Sequence, residues 1–456
     1  MDEIRVLSAT AILGYGFPDA SFEAGLERRP HVIAADAGSS DPGPYYLGAG
    51  ESFTDRIAVK RDLERMITAG RRLGIPVVIG SAGGAGAAPH LTWVREIVDE
   101  IAAEQLLSLR LAVIGADIDH ATVLKALDES RITPVPHGPQ LTAEDVRATT
   151  NLVAQMGSAP LIEALRGGAD VVLAGRAYDP AVFAALPLLH GFDEGLALHM
   201  SKILECAAIA ALPGSGSDCM LGTLRRDHFV LEPLNPERRC TPTSVAAHTL
   251  YEKSDPYHLP GPGGYLELSD CVFAPEGERG VRVSGSRHVD QPFAVKLEGA
   301  RLRGYRTVSV AGARDPHFIR ELDKITQDVR DRVADNFPEI PVGSYDLLIR
   351  VFGADACMGQ LEPTPQPTGH EVGILIEVVA ETQALADTLC GLARSTMLHL
   401  GYPGRVSTAG NLAFPYSPSD FHAGAVYEWS IYHLMAASDP VELFPISYHD
   451  YSGEAA

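Results

Sequence analysis

The sequence predicts an α/β protein: a mostly parallel, doubly wound (Rossmann-like) N-terminal sheet followed by a C-terminal α+β domain, ferredoxin-like or related. Short runs that are apolar throughout recur along the first half, and segments with helical spacing follow several of them. Such runs are typical of strands buried on both faces, and helices between them indicate βαβ units. For one or two runs, periodicity leaves a short buried helix as the alternative. The runs are Ile4–Ala9, His31–Ala35, Ile75–Gly80, Leu111–Gly115 and Asp170–Gly175.

A change in composition marks the predicted domain boundary. The segment Asn235–Gly264 holds several prolines and ends in three closely spaced glycines, and a hairpin-like stretch, Tyr265–His288, follows it. We therefore predict an α/β domain at 1–235, with the main candidate site, and an α+β domain at 236–456 that includes this hairpin-rich crossing segment. The second domain has a β-α-β-β-α order, which favours a ferredoxin-like or related layer. Its predicted elements are Arg306–Ala311, Pro316–Asn336, Tyr345–Phe352, Glu371–Ala380 and Gln383–Leu400.

Charge and cysteine content exclude several classes of protein. The chain has 37 basic and 59 acidic residues and a net charge of −22. A field of this sign repels nucleic-acid phosphates and anionic lipids, so neither nucleic acid nor membrane is an expected partner. Six scattered cysteines without a CxxC pair disfavour a disulfide framework and a zinc ribbon. With a poor signal peptide and no apolar run of about 18 residues, we expect a cytoplasmic protein and, from base rates, a homo-oligomer.

The loop after the second run concentrates polar side chains. In an open parallel sheet, ligands bind outside the carboxyl ends of the strands. Asp36 and Asp41 flank Ser39 and Ser40, which places two carboxylates and two hydroxyls within six residues. These groups could bind a divalent cation at Asp36 and Asp41, hydrogen-bond a substrate, or supply a general base. An Asx-turn with a helix cap is the alternative.

The loop after the third run is rich in glycine. Ser81, Gly83, Gly84 and Gly86 would let the backbone approach an anion, and the following helix N-terminus would offer free N–H groups. Where the dinucleotide-binding motif G-x-G-x-x-G has its third glycine, this sequence has Pro89, so no nicotinamide cofactor is expected. The alternative interpretation is a tight strand–helix turn without a ligand.

The loop after the fifth run contains Arg176, Tyr178 and Asp179. A guanidinium that follows a central strand is expected to be partly buried, where it needs a carboxylate or phosphate partner. That partner is either an anionic substrate, with Tyr178 beside it, or Asp179 in an internal pair, and the sequence leaves both open. Asp179 and Arg176 are therefore candidate catalytic residues.

A fourth cluster has helical spacing. His199, Lys202 and Glu205 lie three residues apart in turn, so they can share one face of a helix. Apolar neighbours could desolvate Glu205 and raise its pKa into the range of acid–base catalysis, although a solvated face is equally consistent with the pattern. Cys206 is interpreted as core filler because nothing nearby lowers the pKa of its thiol.

Several of these motifs are similar to those of the acyclic terpene utilisation protein A family. The similar segments are Asp36–Pro44, Leu141–Gly157, Val172–Asp179, Leu204–Cys206 and, more loosely, Asn411–Asp420. The resemblance implies a role in breaking down terpenoid acids as coenzyme A thioesters, with a lyase or hydratase step. Alanine-rich sequence after Cys206, where the terpene branch would have glycine, argues against the terpenoid substrate but not against the fold.

These observations together predict an enzyme that acts on a small carboxylic acid or its acyl-CoA ester. The expected reaction is a lyase- or hydratase-type addition or elimination next to a carbonyl. Arg176 and the Ser81–Gly86 backbone would hold the anionic end, and Asp36 or Glu205 would move the proton. Loop amides or a divalent cation would hold the enolate-like charge. The alternatives are a metal-assisted hydrolase of a small carboxylated substrate and a non-catalytic scaffold subunit of a larger complex.

Overall fold

A computed structural model of the protein describes residues 1–341, 343–364 and 369–453. The chain forms two compact units: unit 1 is Met1–Arg301 with Trp429–Ala456, and unit 2 is Leu302–Glu428. The predicted boundary near residue 235 lies inside unit 1. Among the described residues, no helix combines the length and apolar character needed to cross a membrane.

Strands and helices alternate through the first 200 residues, as the apolar runs predict. The strands are β1 (Glu3–Ser8), β2 (Val32–Asp36), β3 (Val77–Gly80), β4 (Ser108–Ile114), β5 (Ile132–Pro134), β6 (Asn151–Gln155), β7 (Val171–Ala174), β8 (Met220–Arg225), β9 (Phe229–Pro233), β10 (His258–Gly261), β11 (Gly264–Glu267), β12 (Val272–Glu276), β13 (Gly280–Ser284), β14 (Arg287–Asp290), β15 (Ala294–Ala313), β16 (Tyr345–Phe352), β17 (Val372–Ala380), β18 (Asp420–Ala436) and β19 (Ile446–Ser452). The helices are α1 (Asp19–Glu27), α2 (Tyr45–Ala49), α3 (Arg56–Leu73), α4 (Ala88–Glu104), α5 (His120–Asp128), α6 (Ala143–Ala148), α7 (Ser158–Arg166), α8 (Asp179–Leu189), α9 (Glu194–Leu204), α10 (Pro242–Thr249), α11 (Pro316–Arg320), α12 (Leu322–Asn336) and α13 (Gln383–His399).

The large sheet of unit 1 has the order β12-β13-β9-β8-β1-β2-β3-β7-β4-β19. The five predicted runs are its central strands β1, β2, β3, β7 and β4, which pair in parallel. The mixed α/β prediction is therefore confirmed, but "mostly parallel" is wrong for this sheet. Antiparallel strands flank the parallel core on both sides because hairpins and the last strand, β19, add to its edges.

Helices cover both faces of the parallel strands. On one face, Leu63 of α3 and Val94 of α4 share a core with Ile33 of β2. On the other face, Phe183 of α8 packs in a core with Val172 of β7. Every residue of β2, β3 and β7 is buried, which explains why these strands are apolar throughout and show no alternation.

Unit 2 contains the C-terminal part of β15, then α11, α12, β16, β17, α13 and the first part of β18. Its strands have the order β16-β17-β15-β18, and β17 pairs antiparallel with both β16 and β15. Phe318, Ile325, Ile376 and Leu389 lie in its core, where helices and sheet meet. The strand Tyr345–Phe352 has the predicted bounds. The predicted helix Pro316–Asn336 is divided into α11 and α12, and the predicted strand Arg306–Ala311 is part of the longer β15.

Candidate active site

Three of the loops expected to carry chemistry meet at the carboxyl edge of the parallel strands. Asp36 is the last residue of β2, Ser81 follows β3 directly, and Arg176 lies two residues beyond β7. The loops pack closely, because a Cβ on Gly86 would lie 2.1 Å from the backbone nitrogen of Arg176. The strand order β2-β3-β7 therefore places Asp36, Ser81 and Arg176 on neighbouring strand ends.

The buried Arg176 guanidinium is bonded to two carboxylates. Its Nε donates to Glu298 Oε2 at 2.9 Å, and its Nη1 donates to Asp179 Oδ1 at 2.9 Å. Nη1 also donates to Ser81 Oγ at 3.1 Å and to the Ala177 carbonyl at 2.9 Å. Of the two partners that the sequence left open, Asp179 is present, and Glu298 is a second one. Charge-assisted bonds of this kind are strong, so Arg176 fixes the loop after β7 against its neighbours.

Glu298 lies on β15, in the segment that pairs with β6. Its side chain is 0% exposed, and Lys296 Nζ lies 2.7 Å from its Oε1. Burial favours the neutral carboxyl, but the charges of Arg176 and Lys296 outweigh burial and lower the pKa of Glu298 to about 2. Glu298 is therefore an ionised carboxylate with a cation on each side.

Lys202 and Glu205 form a buried ion pair at the end of α9. Lys202 Nζ donates to Glu205 Oε1, and the two side chains are 2% and 8% exposed. Burial raises the pKa of Glu205, the Lys202 charge opposes the rise and the Asp179 charge adds to it, and the resulting pKa is about 7. The other carboxyl oxygen, Oε2, is buried without a hydrogen-bond partner in the described residues. The expected desolvation of Glu205 is therefore present.

Asp36 is buried and only half of its carboxyl group is bonded. Oδ1 accepts a hydrogen bond from Gly38 N at 2.9 Å, which is the Asx-turn that the sequence left as an alternative. Oδ2 is buried and has no hydrogen-bond partner in the part of the chain that the structure describes. Burial and the nearby Asp179 charge raise the pKa of Asp36 well above its usual range, although Arg176 opposes the rise.

Seven charged side chains interact in this region. We call the set the buried charge cluster: Asp36, Asp179, Glu205, Glu298, Arg176, Lys202 and Lys296. The charge of Lys253, in the loop after α10, also acts on Glu205. Burial favours the neutral form of Asp36, and the Asp179 charge adds to this effect while the Arg176 charge opposes it.

Tyr178 connects the buried charge cluster with a cavity of about 410 Å³. The cavity lies among α7, α8, α9, β10, β11 and β14, and Tyr178 lines it. A Cβ on Gly261 would lie 3.1 Å from the Tyr178 ring, so glycine leaves room for that ring. Burial and the charges of Glu205 and Asp179 raise the pKa of the Tyr178 hydroxyl, which therefore stays protonated.

The remaining polar residues of the β2 loop lie outside the buried charge cluster. Ser39 Oγ accepts a hydrogen bond from Asp41 N at 3.1 Å, and the Asp41 side chain is exposed. Ser40 is buried. Among the described residues, Asp36 and Asp41 belong to no group of three His, Cys, Asp or Glu ligand atoms within 4.8 Å of one another. The geometry therefore does not favour the metal considered for Asp36 and Asp41.

The glycine-rich loop Ser81–Gly86 is buried, and most of its donors are used within the protein. Gly83, Gly84 and Gly86 have φ values of 62°, 95° and 67°, which favour glycine. The first N–H of α4, at Ala88, donates to Asp117 Oδ1 at 3.1 Å. The loop N–H groups that donate to backbone carbonyls are those of Ser81, Ala82, Gly84 and Gly86. This is the tight turn that was the alternative to an anion site.

The sequence matches the family described as acyclic terpene utilisation family protein AtuA over residues 54–211 and 228–417. The chain belongs to this family. The comparisons with curated proteins and with solved structures each gave no match. Arg176, Glu205 and Glu298 lie within the family-matched segments, whereas Asp36 lies before the first of them.

Within the AtuA-matched region, sequence reasoning missed Lys296 and Glu298. Both lie in an apolar stretch at the start of β15, two residues apart and therefore on one face of the strand. A lysine and a glutamate in such a stretch are the signal that could have found them, because charges rarely occupy buried strands unless they are paired. Their partner Arg176 is 122 residues from Glu298 in the chain, so the sequence did not indicate the contact.

Lys253, in the loop after α10, is a third missed residue. Its side chain is half-buried, and its Nζ has no hydrogen bond or ion pair to any residue of the described segments. Burial and the charge of Lys202 lower the pKa of Lys253. The charges of Glu205, Asp179 and Glu252 oppose this lowering. His199, in contrast, is a core residue between Ser286 Oγ and Thr249 Oγ1, at 2.6 and 2.9 Å.

Proposed function

We propose that the protein is an enzyme of the lyase or hydratase type that acts on a small carboxylic acid or its acyl-CoA ester. One observation carries this proposal: Asp36 Oδ2 and Glu205 Oε2 are both buried without a partner in the described structure. An unbonded buried carboxyl oxygen costs about 1–3 kcal/mol or more, so each such group calls for an explanation, and a catalytic role is one. Both carboxyls belong to the buried charge cluster, and the charge of Glu205 adds to the rise in the pKa of Asp36.

The two carboxyls suit opposite halves of a proton-transfer reaction. The raised pKa of Asp36 favours its protonated form, which suits this group to donate a proton. Glu205, with a pKa of about 7, is partly ionised at neutral pH and can accept one. In a dehydration, Glu205 takes the proton next to the carbonyl and the electron pair forms the carbon–carbon double bond. The hydroxyl on the next carbon takes the Asp36 proton and leaves as water.

The neighbouring charged residues have supporting roles in this proposal. Arg176 already contacts two carboxylates, so we assign it to positioning Asp179 and Ser81 and no longer to holding the substrate. Asp179 keeps the pKa values of Asp36 and Glu205 high through its charge. Lys253, which has no ionic partner among the described residues, takes over the role of binding a substrate carboxylate.

The finer structural and cellular expectations stay part of the proposal. Helices on both faces of the parallel core support a Rossmann-like relationship for unit 1. The β-α-β-β-α-β order of unit 2 supports a ferredoxin-like relationship. Free thiols at all six cysteines support a cytoplasmic location. We also retain a homo-oligomer and a small anionic substrate as expectations.

The proposal is tested with a ligand panel and two variants. Short acyl-CoA esters and free carboxylic acids are screened by melting temperature, where a ligand at about a hundred times its Kd adds roughly 2.7 kcal/mol to the folded state. Compounds that stabilise the protein are assayed for hydration and elimination. We expect Glu205→Gln and Asp36→Asn each to lower turnover about 10²–10⁴-fold, the range for general acid–base groups.

Asp41→Asn is the matched control, because Asp41 lies in the same loop as Asp36 but is exposed. It should leave turnover unchanged. Full turnover in Glu205→Gln would refute the assigned chemistry. If no compound of the panel raises the melting temperature, a scaffold subunit becomes the better interpretation. Substitutions on the surface would then impair the function of the protein.

A further inference from the structure

The wall of the 410 Å³ cavity carries a group of metal-ligand side chains. Glu194 is the first residue of α9, and His288 and Asp290 lie two apart on β14, so the strand presents both on one face. One ligand atom from each residue lies within 4.8 Å of the other two. All three residues line the cavity.

The separations within this group suit a bound divalent cation. His288 Nδ1 lies 3.2 Å from Asp290 Oδ1 and 3.6 Å from Glu194 Oε2. An ion about 2.0–2.2 Å from nitrogen and oxygen ligands holds neighbouring donors about 3–3.5 Å apart. Small rotations of the two acidic side chains, which are 50% and 96% exposed, would bring all three atoms to those distances.

Glycines make room for the imidazole of this group. A Cβ on Gly264 would lie 2.6 Å from His288 Nε2, so the ring is held against the β11 backbone. A Cβ on Gly195 would lie 2.6 Å from the Arg287 backbone, so α9 approaches β14 closely there. The His288 side chain is only 8% exposed as a result, and its Nδ1 faces the acids.

The strands β10, β11 and β14 form a three-stranded sheet, and a second histidine in it provides a comparison. His258 Nδ1 lies 3.2 Å from Asp255 Oδ2, and its Nε2 lies 3.1 Å from Glu267 Oε2. Each ring nitrogen of His258 has its own acid, which is the arrangement of a protonated histidine in an ion pair. His288 instead turns one nitrogen towards two acids: Nδ1 lies in hydrogen-bond range of Asp290 and 3.6 Å from Glu194, and a shared cation would satisfy all three groups.

We propose that Glu194, His288 and Asp290 bind a divalent cation of the transition-metal type. One imidazole with two carboxylates favours Zn²⁺ or Mn²⁺ over the all-oxygen sites typical of Mg²⁺ and Ca²⁺. Three protein ligands leave at least one coordination position free, and it faces the cavity that Tyr178 also lines. That position can hold water or a carbonyl or carboxylate oxygen. The proposal goes beyond the acid–base chemistry above and does not depend on it.

The test is a titration of the chelator-treated full-length protein with Zn²⁺ and with Mn²⁺ by calorimetry. We expect one equivalent to bind. Glu194→Gln, which keeps the shape of a half-exposed side chain, and His288→Ala should each weaken binding at least about tenfold, as is common for altered metal sites. Melting temperatures without metal establish that the variants are folded.

His258→Ala is the matched control, and it should bind the metal like the unchanged protein. If His258→Ala loses metal binding to the same extent, the metal ion binds beside His258, Asp255 and Glu267, and the proposal is overturned. The proposal also fails if the unchanged protein binds no equivalent, or if Glu194→Gln and His288→Ala bind as tightly as the control. Failure here leaves the roles of Asp36 and Glu205 untouched, because their test uses turnover.

Discussion

Glu298 and Glu205 are buried carboxyls of one charge cluster, yet their pKa values move in opposite directions. Burial raises the pKa of both groups, so burial cannot be the cause of the difference. Glu298 has cations on two sides, Arg176 and Lys296, which lower its pKa to about 2. The charge of Lys202 lowers the pKa of Glu205 and the charge of Asp179 raises it, and the resulting pKa is about 7. The number and sign of neighbouring charges therefore decide which carboxyl is ionised.

The comparison separates structural from chemical roles within a few residues. A carboxylate between two cations, such as Glu298, is fixed and holds the loops together. A carboxyl with an unpartnered oxygen in the described structure, such as Glu205, can exchange a proton near neutral pH. Arg176 lies on the structural side of this division, because its guanidinium is already bonded to two carboxylates.

The largest expected effect tests the structural role of Arg176 and Glu298. Arg176→Met leaves Glu298 and Asp179 without their shared cation, and breaking a buried ion pair in this way costs about 3–5 kcal/mol of unfolding free energy. Urea denaturation measures the loss. Arg56→Met is the control: Arg56 pairs with Glu100 at a partly exposed site, and such pairs contribute about 1 kcal/mol or less. If the loss in Arg176→Met were equally small, Arg176 would be free to bind substrate.

The next effect uses pH to distinguish the two carboxyls. For Glu298, the folded pKa of about 2 lies below the ordinary 4.5, so its stabilisation is present above pH 4.5 and is lost as pH falls towards 2. For Glu205, the folded pKa of about 7 lies above 4.5, so its stabilisation is present below pH 4.5 and is lost as pH rises through 7. Each shift corresponds to about 3 kcal/mol.

Unfolding free energies measured from pH 2 to 8 resolve the two contributions. Glu298→Gln should flatten the rise in stability between pH 2 and 4.5. Glu205→Gln should flatten the fall between pH 4.5 and 7 and leave the acid limb unchanged. Identical profiles for the two variants would mean that the carboxyls do not differ as described.

The smallest expected effect concerns Ser81, whose hydroxyl connects the loop after β3 with the loop after β7. Ser81 Oγ accepts bonds from Arg176 Nη1 at 3.1 Å and from Ala177 N at 3.3 Å. Ser81→Ala removes this acceptor, and we expect it to destabilise the fold by about 1–2 kcal/mol. Ser39→Ala, at a half-exposed turn, should change the unfolding free energy by less than half of that. Equal changes in the unfolding free energy of the two variants would show that the Ser81 hydrogen bonds contribute no more to stability than the half-exposed turn at Ser39.

Local pattern was sufficient for much of the fold. The run Ile75–Gly80 became β3 and the run Asp170–Gly175 became β7, each within two residues at either end. These strands are buried on both faces, so their continuous apolar character is a strong signal. β19 was not predicted, because Ile446–Ser452 is a mostly polar segment and pairs with β4 from a distant part of the chain.

The candidate site was predictable only in part. The position of Arg176 after a parallel strand, and its spacing from Asp179, made an internal pair one of two open interpretations, and that pair is present. The helical spacing of Lys202 and Glu205 likewise indicated their contact. Local sequence carried no sign that Ser39 and Asp41 would remain in a separate turn, because turn residues and ligand residues are the same types.

The sequence by itself determined the parallel strands, the loops at their carboxyl ends and the family to which the chain belongs. These properties depend on residues close together in the chain. Only the tertiary structure decided that Glu298 meets Arg176, and that His288 turns one nitrogen towards two acids. A carboxyl's charge depends on every charge within several ångströms, and folding brings those charges together from distant parts of the chain.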